Sequence, residues 1–201
     1  MILQVLKQGQ RVEVTDNVFC PTGQGGGVDP TCSSGSGSSS IPMGGYKGLK
    51  VPKMNAADRS VLQDYQENSY EINGSLREGI GNAPSDVQAK AIKFKRMFEK
   101  NAITTKQDMI VYRGVEKHEE SVVRGQQKSW TSTTTDPKSA AFFGEHIMAI
   151  KVPKGTKVLP VLAGEENEVI LPQWSTFTPG KATGTVERKG REAQVISYDM
   201  S

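Results

Sequence analysis

Apolar positions in the front half of the chain recur at spacings of three and four: Val61, Leu62, Tyr65, Ile72 and Leu76, with Ser69 in the same row. That period lines one face of an α-helix, and Asn55 or Asp58 can cap it. The stretch 79–84, bounded by Gly79 and Pro84, breaks the pattern. A second helix is predicted from Ser85 as its N-cap, carrying Val87, Ala91, Ile92, Lys95, Met97 and Phe98. Beyond Asp108 the period shortens to that of strands, predicted at 109–115, 127–133, 147–152, 157–161, 168–172, 175–178 and 194–198. Asp136-Pro137, Pro153-Lys154-Gly155 and Pro179-Gly180 punctuate them as turns. Residues 138–143 read as a short helix with Asp136 as cap and Pro137 at its first position. Helices first and short strands afterwards predict an α+β domain rather than a doubly wound parallel sheet.

Ahead of this domain, Val12 and Val14 alternate with Arg11 and Glu13, the pattern of a short strand or hairpin ending near Asn17. Residues 20–48 hold Gly25-Gly26-Gly27, Ser38-Ser39-Ser40 and Gly44-Gly45, a composition too poor in apolar area to offset its chain entropy. The predicted organisation is therefore a strand segment at 1–18, a flexible linker at 19–54 and one domain at 55–201. The glycine run fits neither GxGxxG nor GxxxxGK[ST], so it is not read as a nucleotide loop.

Composition narrows the function classes. With 35% hydrophobic and 23% charged residues, the chain reads as soluble and globular. No apolar run approaches the ~20 residues of a transmembrane helix, and Met1 to Gln10 is too short and polar for a signal-peptide core. Synthesis in the cytoplasm without a Sec signal is the expectation. A net charge of +3 with mixed signs argues for neither nucleic acid nor membrane as partner. The two cysteines, Cys20 and Cys32, cannot staple the domain. They have only the sequence-distant His118 and His146 as possible co-ligands, so no metal is expected.

Three segments carry candidate chemistry. Strand alternation sends Arg113 to the same face as Val111, at the end of an apolar run, where its planar fork suits a diphosphate. The same alternation, extended through Glu166-Asn167-Glu168, puts both glutamates on one face and Val169 and Leu171 on the other. A carboxylate there can stabilise an oxocarbenium-like charge while its neighbour accepts a proton. The hydroxyl cluster Thr131-Ser132-Thr133-Thr134 offers a serine to hold a carboxylate's rotamer. Each segment alone is equally well a surface arginine, an acidic turn and a β-branched strand.

In this order, the arginine, a Ser-Thr-Ser-like strand and ExE before an apolar strand resemble the mono-ADP-ribosyltransferases with an Arg-Ser-Glu active site, of the exoenzyme and clostridial binary-toxin type. Tyr65 to Arg77, including Ser69-Tyr70-Glu71-Ile72-Asn73-Gly74-Ser75-Leu76-Arg77, is similar to the helix covering their NAD cleft. Ala140-Ala141-Phe142-Phe143-Gly144, followed by Ile150-Lys151-Val152-Pro153-Lys154-Gly155, is similar to the segment after Ser-Thr-Ser. The resemblance spans residues 55–201. It implies an ADP-ribosyltransferase-like fold: N-terminal helices, then a mixed, mostly antiparallel two-sheet β core enclosing the NAD cleft.

Carried over by position, the resemblance implies that Arg113 holds the NAD diphosphate and the Gly114 backbone recognises the nicotinamide amide. Ser132 orients Glu168, which binds the ribose 2′-hydroxyl and stabilises the oxocarbenium ion. Glu166 deprotonates the acceptor, and ExE in this family accompanies arginine acceptors. Tyr65 and Tyr70 approach the ribose and nicotinamide, Phe143 packs on the nicotinamide, and 161–165 form the loop that reads the target. Two departures stand out: Thr134 replaces the last serine of Ser-Thr-Ser, and His146 stands where relatives carry a phosphate-binding arginine. NAD is then a consumed substrate, and the partner is a protein bearing the acceptor arginine. The alternatives are a NAD glycohydrolase toxin and a non-catalytic phage structural or binding module. The segment from Cys20 to Cys32 resembles linker sequence in phage head-associated proteins, which implies carriage in a phage particle as one route into a target cell.

Overall fold

The computed structural model describes residues 49–116, 124–161, 167–188 and 191–201. The expected N-terminal strand and linker, Cys20, Cys32, His118, Glu166 and most of the expected target-reading loop lie outside the described residues.

Two helices open the domain. In α1 (Ala56–Glu78), the Asn55 side chain accepts from the Asp58 N–H at 2.7 Å, so Asn55 is the cap. Gly79, at φ 115°, ends the helix and donates its N–H to the Ser75 carbonyl. A single 3₁₀ turn (Ile80–Asn82) leads to α2 (Ser85–Asn101). Its N-cap is Pro84, not Ser85, and no side chain caps it. The buried row of α2 is Val87, Ala91, Phe94, Met97 and Phe98; Ile92 and Lys95 face solvent. Val87, Ala91, Met97 and Phe98 are buried as predicted, and Phe94 completes the stripe in place of Ile92 and Lys95.

The strands are β1 (Ile103–Thr104), β2 (Met109–Val115), β3 (Gly125–Gln127), β4 (Thr131–Thr134), β5 (His146–Val152), β6 (Lys157–Val161), β7 (Glu168–Leu171), β8 (Ser175–Arg188) and β9 (Arg191–Met200). Among the described residues they form the order β1-β6-β7-β4-β2-β5-β9-β8-β3, antiparallel except for β5 with β9. The order divides into two leaves, because β2 and β4 share only the pair Tyr112↔Thr134. Met109, Val111 and Val115 of one leaf and Val169 and Leu171 of the other enter one buried cluster, so the leaves pack face to face. The helices cover the outer face of the first leaf, where Tyr65, Phe94 and Phe98 meet Trp130, Leu159 and Ile170. The second leaf is covered on its outer face near α3 (Pro137–Ala140), whose Ala140 packs with Tyr112, Ile147 and Val195.

Two predicted strands change shape. The stretch 127–133 divides into β3 and β4, because β3 pairs with β8 at one sheet edge while β4 pairs with β7 in the other leaf. The chain crosses between leaves at Lys128–Trp130, burying Ser129 and Trp130. The strand predicted at 175–178 runs on to Arg188. Pro179-Gly180, read as a turn, is absorbed as an irregularity in the β8–β9 pairing. There the Ser197 hydroxyl accepts from the Lys181 N–H and donates to the Lys181 carbonyl, both at 3.0 Å.

Candidate active site

A cleft of about 240 Å³ opens where the two leaves part. Its walls include Arg113 and Gly114 from β2, Ser132 and Thr134 from β4, Glu168 from β7 and Phe143 after α3. Three strands distant in sequence thus bring Arg113, Ser132 and Glu168 together.

Backbone geometry builds the site before any side chain enters. A Cβ on Gly114 would collide with the Ala140 carbonyl oxygen and lie 2.9 Å from the Gly144 nitrogen. A Cβ on Gly144 would collide with the Val115 backbone. The two glycines let β2 and the segment after α3 approach main chain to main chain. Asp136 caps α3, accepting from the Lys138 and Ser139 N–H groups at 3.1 Å, with Pro137 at the first helical position as predicted.

Three hydroxyls of β4 face different neighbours. Thr133 donates to the Val169 carbonyl at 2.6 Å, joining β4 to β7. Thr134 accepts from the Asp136 N–H at 3.1 Å and holds the turn. The Ser132 hydroxyl stands beside the Glu168 carboxyl and the Tyr65 hydroxyl and favours the ionised form of each. The Arg113 Nη1 donates to the Ser132 carbonyl at 2.8 Å.

Asn167 has φ 43°, in the left-handed region that asparagine tolerates better than most residues. Strand β7 begins at Glu168, directly after it. Glu166 lies outside the described residues, and with it the expectation that it shares a face with Glu168.

Burial pushes the Glu168 carboxyl above the ordinary glutamate range. Hydrogen bonds from Gln66 and Ser132 and the charge of Arg113 oppose that shift. Gln66, on α1, donates from Nε2 to Glu168 Oε2 at 2.8 Å. Burial likewise raises the Tyr65 phenol, which remains a neutral hydroxyl, and the Asn73 Nδ2 donates to it at 3.0 Å. An ionised carboxylate only accepts, so Gln66 and Ser132 act on Glu168 as donors. Gln66 and Asn73 both lie within the Tyr65 to Arg77 segment, but a lone amide on a helix carries no distinguishing signal, and neither role is legible in the sequence.

Residues 45–123 match the family model described as ADP-ribosyltransferase exoenzyme. Among solved structures, 74% of the chain aligns with 89% of C3larvin toxin, an ADP-ribosyltransferase from Paenibacillus larvae, at 18% identity and a TM-score of 0.56. The same share aligns with 87% of the Clostridium limosum C3 exoenzyme at 20% identity and a TM-score of 0.56. It also aligns with 88% of C3stau2 from S. aureus, solved with NAD, at 16% identity and a TM-score of 0.57. The chain has the ADP-ribosyltransferase exoenzyme fold. No curated protein sequence matches it.

Within this exoenzyme fold, Tyr65, Tyr70 and His146 are not among the residues lining the cleft. Tyr65 is 1% exposed and stacks on Phe94 with centroids 3.6 Å apart, so its ring belongs to the core and only its hydroxyl reaches Ser132. Tyr70 is 86% exposed and stands outside the cleft walls. His146 is half-buried at the start of β5, paired with Val115 and Gln194, and is not among the residues lining the cleft.

Proposed function

We propose that this chain binds NAD in the cleft between its leaves and transfers ADP-ribose to a protein arginine, releasing nicotinamide. The observation that carries the reading is the convergence of Arg113, Ser132 and Glu168 on one cleft. Arg113 binds the diphosphate, the Gly114 main chain meets the nicotinamide amide, and Phe143 packs beside the ring. The C1′–N bond to nicotinamide breaks, and nicotinamide leaves with the bonding pair. The ribose oxocarbenium ion that forms is stabilised by the ionised Glu168 carboxylate. An arginine guanidinium nitrogen attacks C1′ and Glu166 takes its proton. The preference for arginine rests on Glu166 as the first residue of the ExE sequence. NAD is consumed in the reaction, and the partner is the protein carrying that arginine.

The test incubates the purified chain with NAD labelled on its adenylate and a cell lysate, with and without excess free guanidinium acceptor, beside a Glu168→Gln control. Labelled protein that is lost in the control and competed by the acceptor supports arginine transfer. Nicotinamide release without labelled protein points instead to NAD hydrolysis, and absence of turnover overturns the enzymatic reading.

A further inference from the structure

The geometry points to Gln66 as a positioning residue for Glu168, a neutral amide on α1 that fixes the orientation of the carboxylate in its ionised form. This rests on the reading of Glu168 as the group that stabilises the ribose cation. The two residues are separated by 102 positions, and the contact, Nε2 to Oε2 at 2.8 Å, is the direct bond from the helix layer to the Glu168 side chain. Gln66 is half-buried and follows Tyr65, whose ring is fully buried, stacked on Phe94 and edge-on to Trp130 with centroids 5.9 Å apart. That stack sets the rotation and height of α1, and with them the origin of the Gln66 side chain.

The chemistry favours an amide over a cation here. A lysine at this position would hold the carboxylate but offset the negative charge that a developing oxocarbenium ion needs. Glutamine donates a hydrogen bond and leaves the charge in place. The Gln66 amide works against desolvation, because a donor to the charged form lowers a carboxyl pKa that burial raises. Among the described residues, the other titratable groups acting on Glu168 are Arg113 from β2 and Tyr65 from α1, while β4 contributes the Ser132 hydroxyl and β6 sets Val161 opposite in register.

Gln66→Met keeps similar length and removes the donor; Gln66→Glu keeps the shape and substitutes a second carboxyl group. In nicotinamide release from NAD, Gln66→Met is expected to lower kcat about tenfold with KM within about twofold, and to move the acid limb up by about one pH unit. Gln66→Glu moves that limb further, because two carboxylates repel. The Glu168 carboxyl carbon, ¹³C-labelled and assigned by its absence in Glu168→Gln, is titrated by NMR without NAD and should show the same upward displacement. An unmoved carboxyl midpoint in Gln66→Met, or a loss confined to KM, overturns the assignment. If the unmodified chain releases no nicotinamide, the NAD reading fails while the NMR titration still decides whether Gln66 governs Glu168.

Discussion

The Arg113 guanidinium reaches across from β2 to the Ser132 carbonyl on β4 at 2.8 Å, bridging by side chain two strands whose ladder is a single residue pair. Arg113 is thus both a cleft wall and a clasp between the leaves. Arg113→Lys loses the fork that serves both ends. It is expected to lower stability by about 1–2 kcal/mol in urea unfolding and to weaken NAD binding at least about tenfold by calorimetry. Unchanged values for both would show that a point charge suffices.

Because Glu168 takes up its proton more readily in the folded chain than in the unfolded one, the folded state loses stability as pH rises from the ordinary glutamate pKa to the raised one. Glu168→Gln removes that dependence. The stability difference should move in favour of the variant between mildly acidic and neutral pH and then level off, measured as paired urea midpoints. A difference that stays flat with pH would mean that Glu168 titrates as an ordinary glutamate.

Turnover should follow the same ionisation with the opposite consequence. Only the ionised carboxylate stabilises the ribose cation, so nicotinamide release should fall away on the acid side at a pH above the ordinary glutamate range. An acid limb within that range would contradict the role given to burial.

Gly114→Ala introduces a Cβ against the Ala140 carbonyl, which the main chain cannot avoid by a rotamer change. The expected loss is about 1–3 kcal/mol, with diminished NAD binding as the α3 segment is pushed from β2. Thermal unfolding and NAD titration of the same preparation check it.

Tyr65→Phe preserves the stack on Phe94 and removes the buried hydroxyl that accepts from Asn73. It should cost about 1–3 kcal/mol, whereas Tyr70→Phe on the exposed face should change stability by no more than about 0.5 kcal/mol. Equal effects would refute a structural role for the buried Tyr65 hydroxyl.

Much of this site could be read from the sequence because its central members lie on regular strands. The alternation that sends Val111 and Arg113 to one face is seen in β2, and the fold resemblance expected from the ordered segments holds. What escaped was decided by contacts remote in sequence. Phe94 is buried against Tyr65 and Trp130, and nothing in the local period ranks it above Ile92. Pro179-Gly180 has turn chemistry, yet a serine on the neighbouring strand keeps the irregular backbone bonded. Asn167 stands in the left-handed region just ahead of β7, and no local pattern marks it. Gln66 acquires its meaning only when α1 lies over β7.

Among the described residues, past Tyr112 the flank of β2 nearest β4 has no strand partner in register and turns to the cleft instead. A guest lying there occupies the place of a missing strand and meets peptide groups as well as side chains. Recognition of that kind is inherited with the fold: many side chains around it can be exchanged while the peptide edge keeps its lettering.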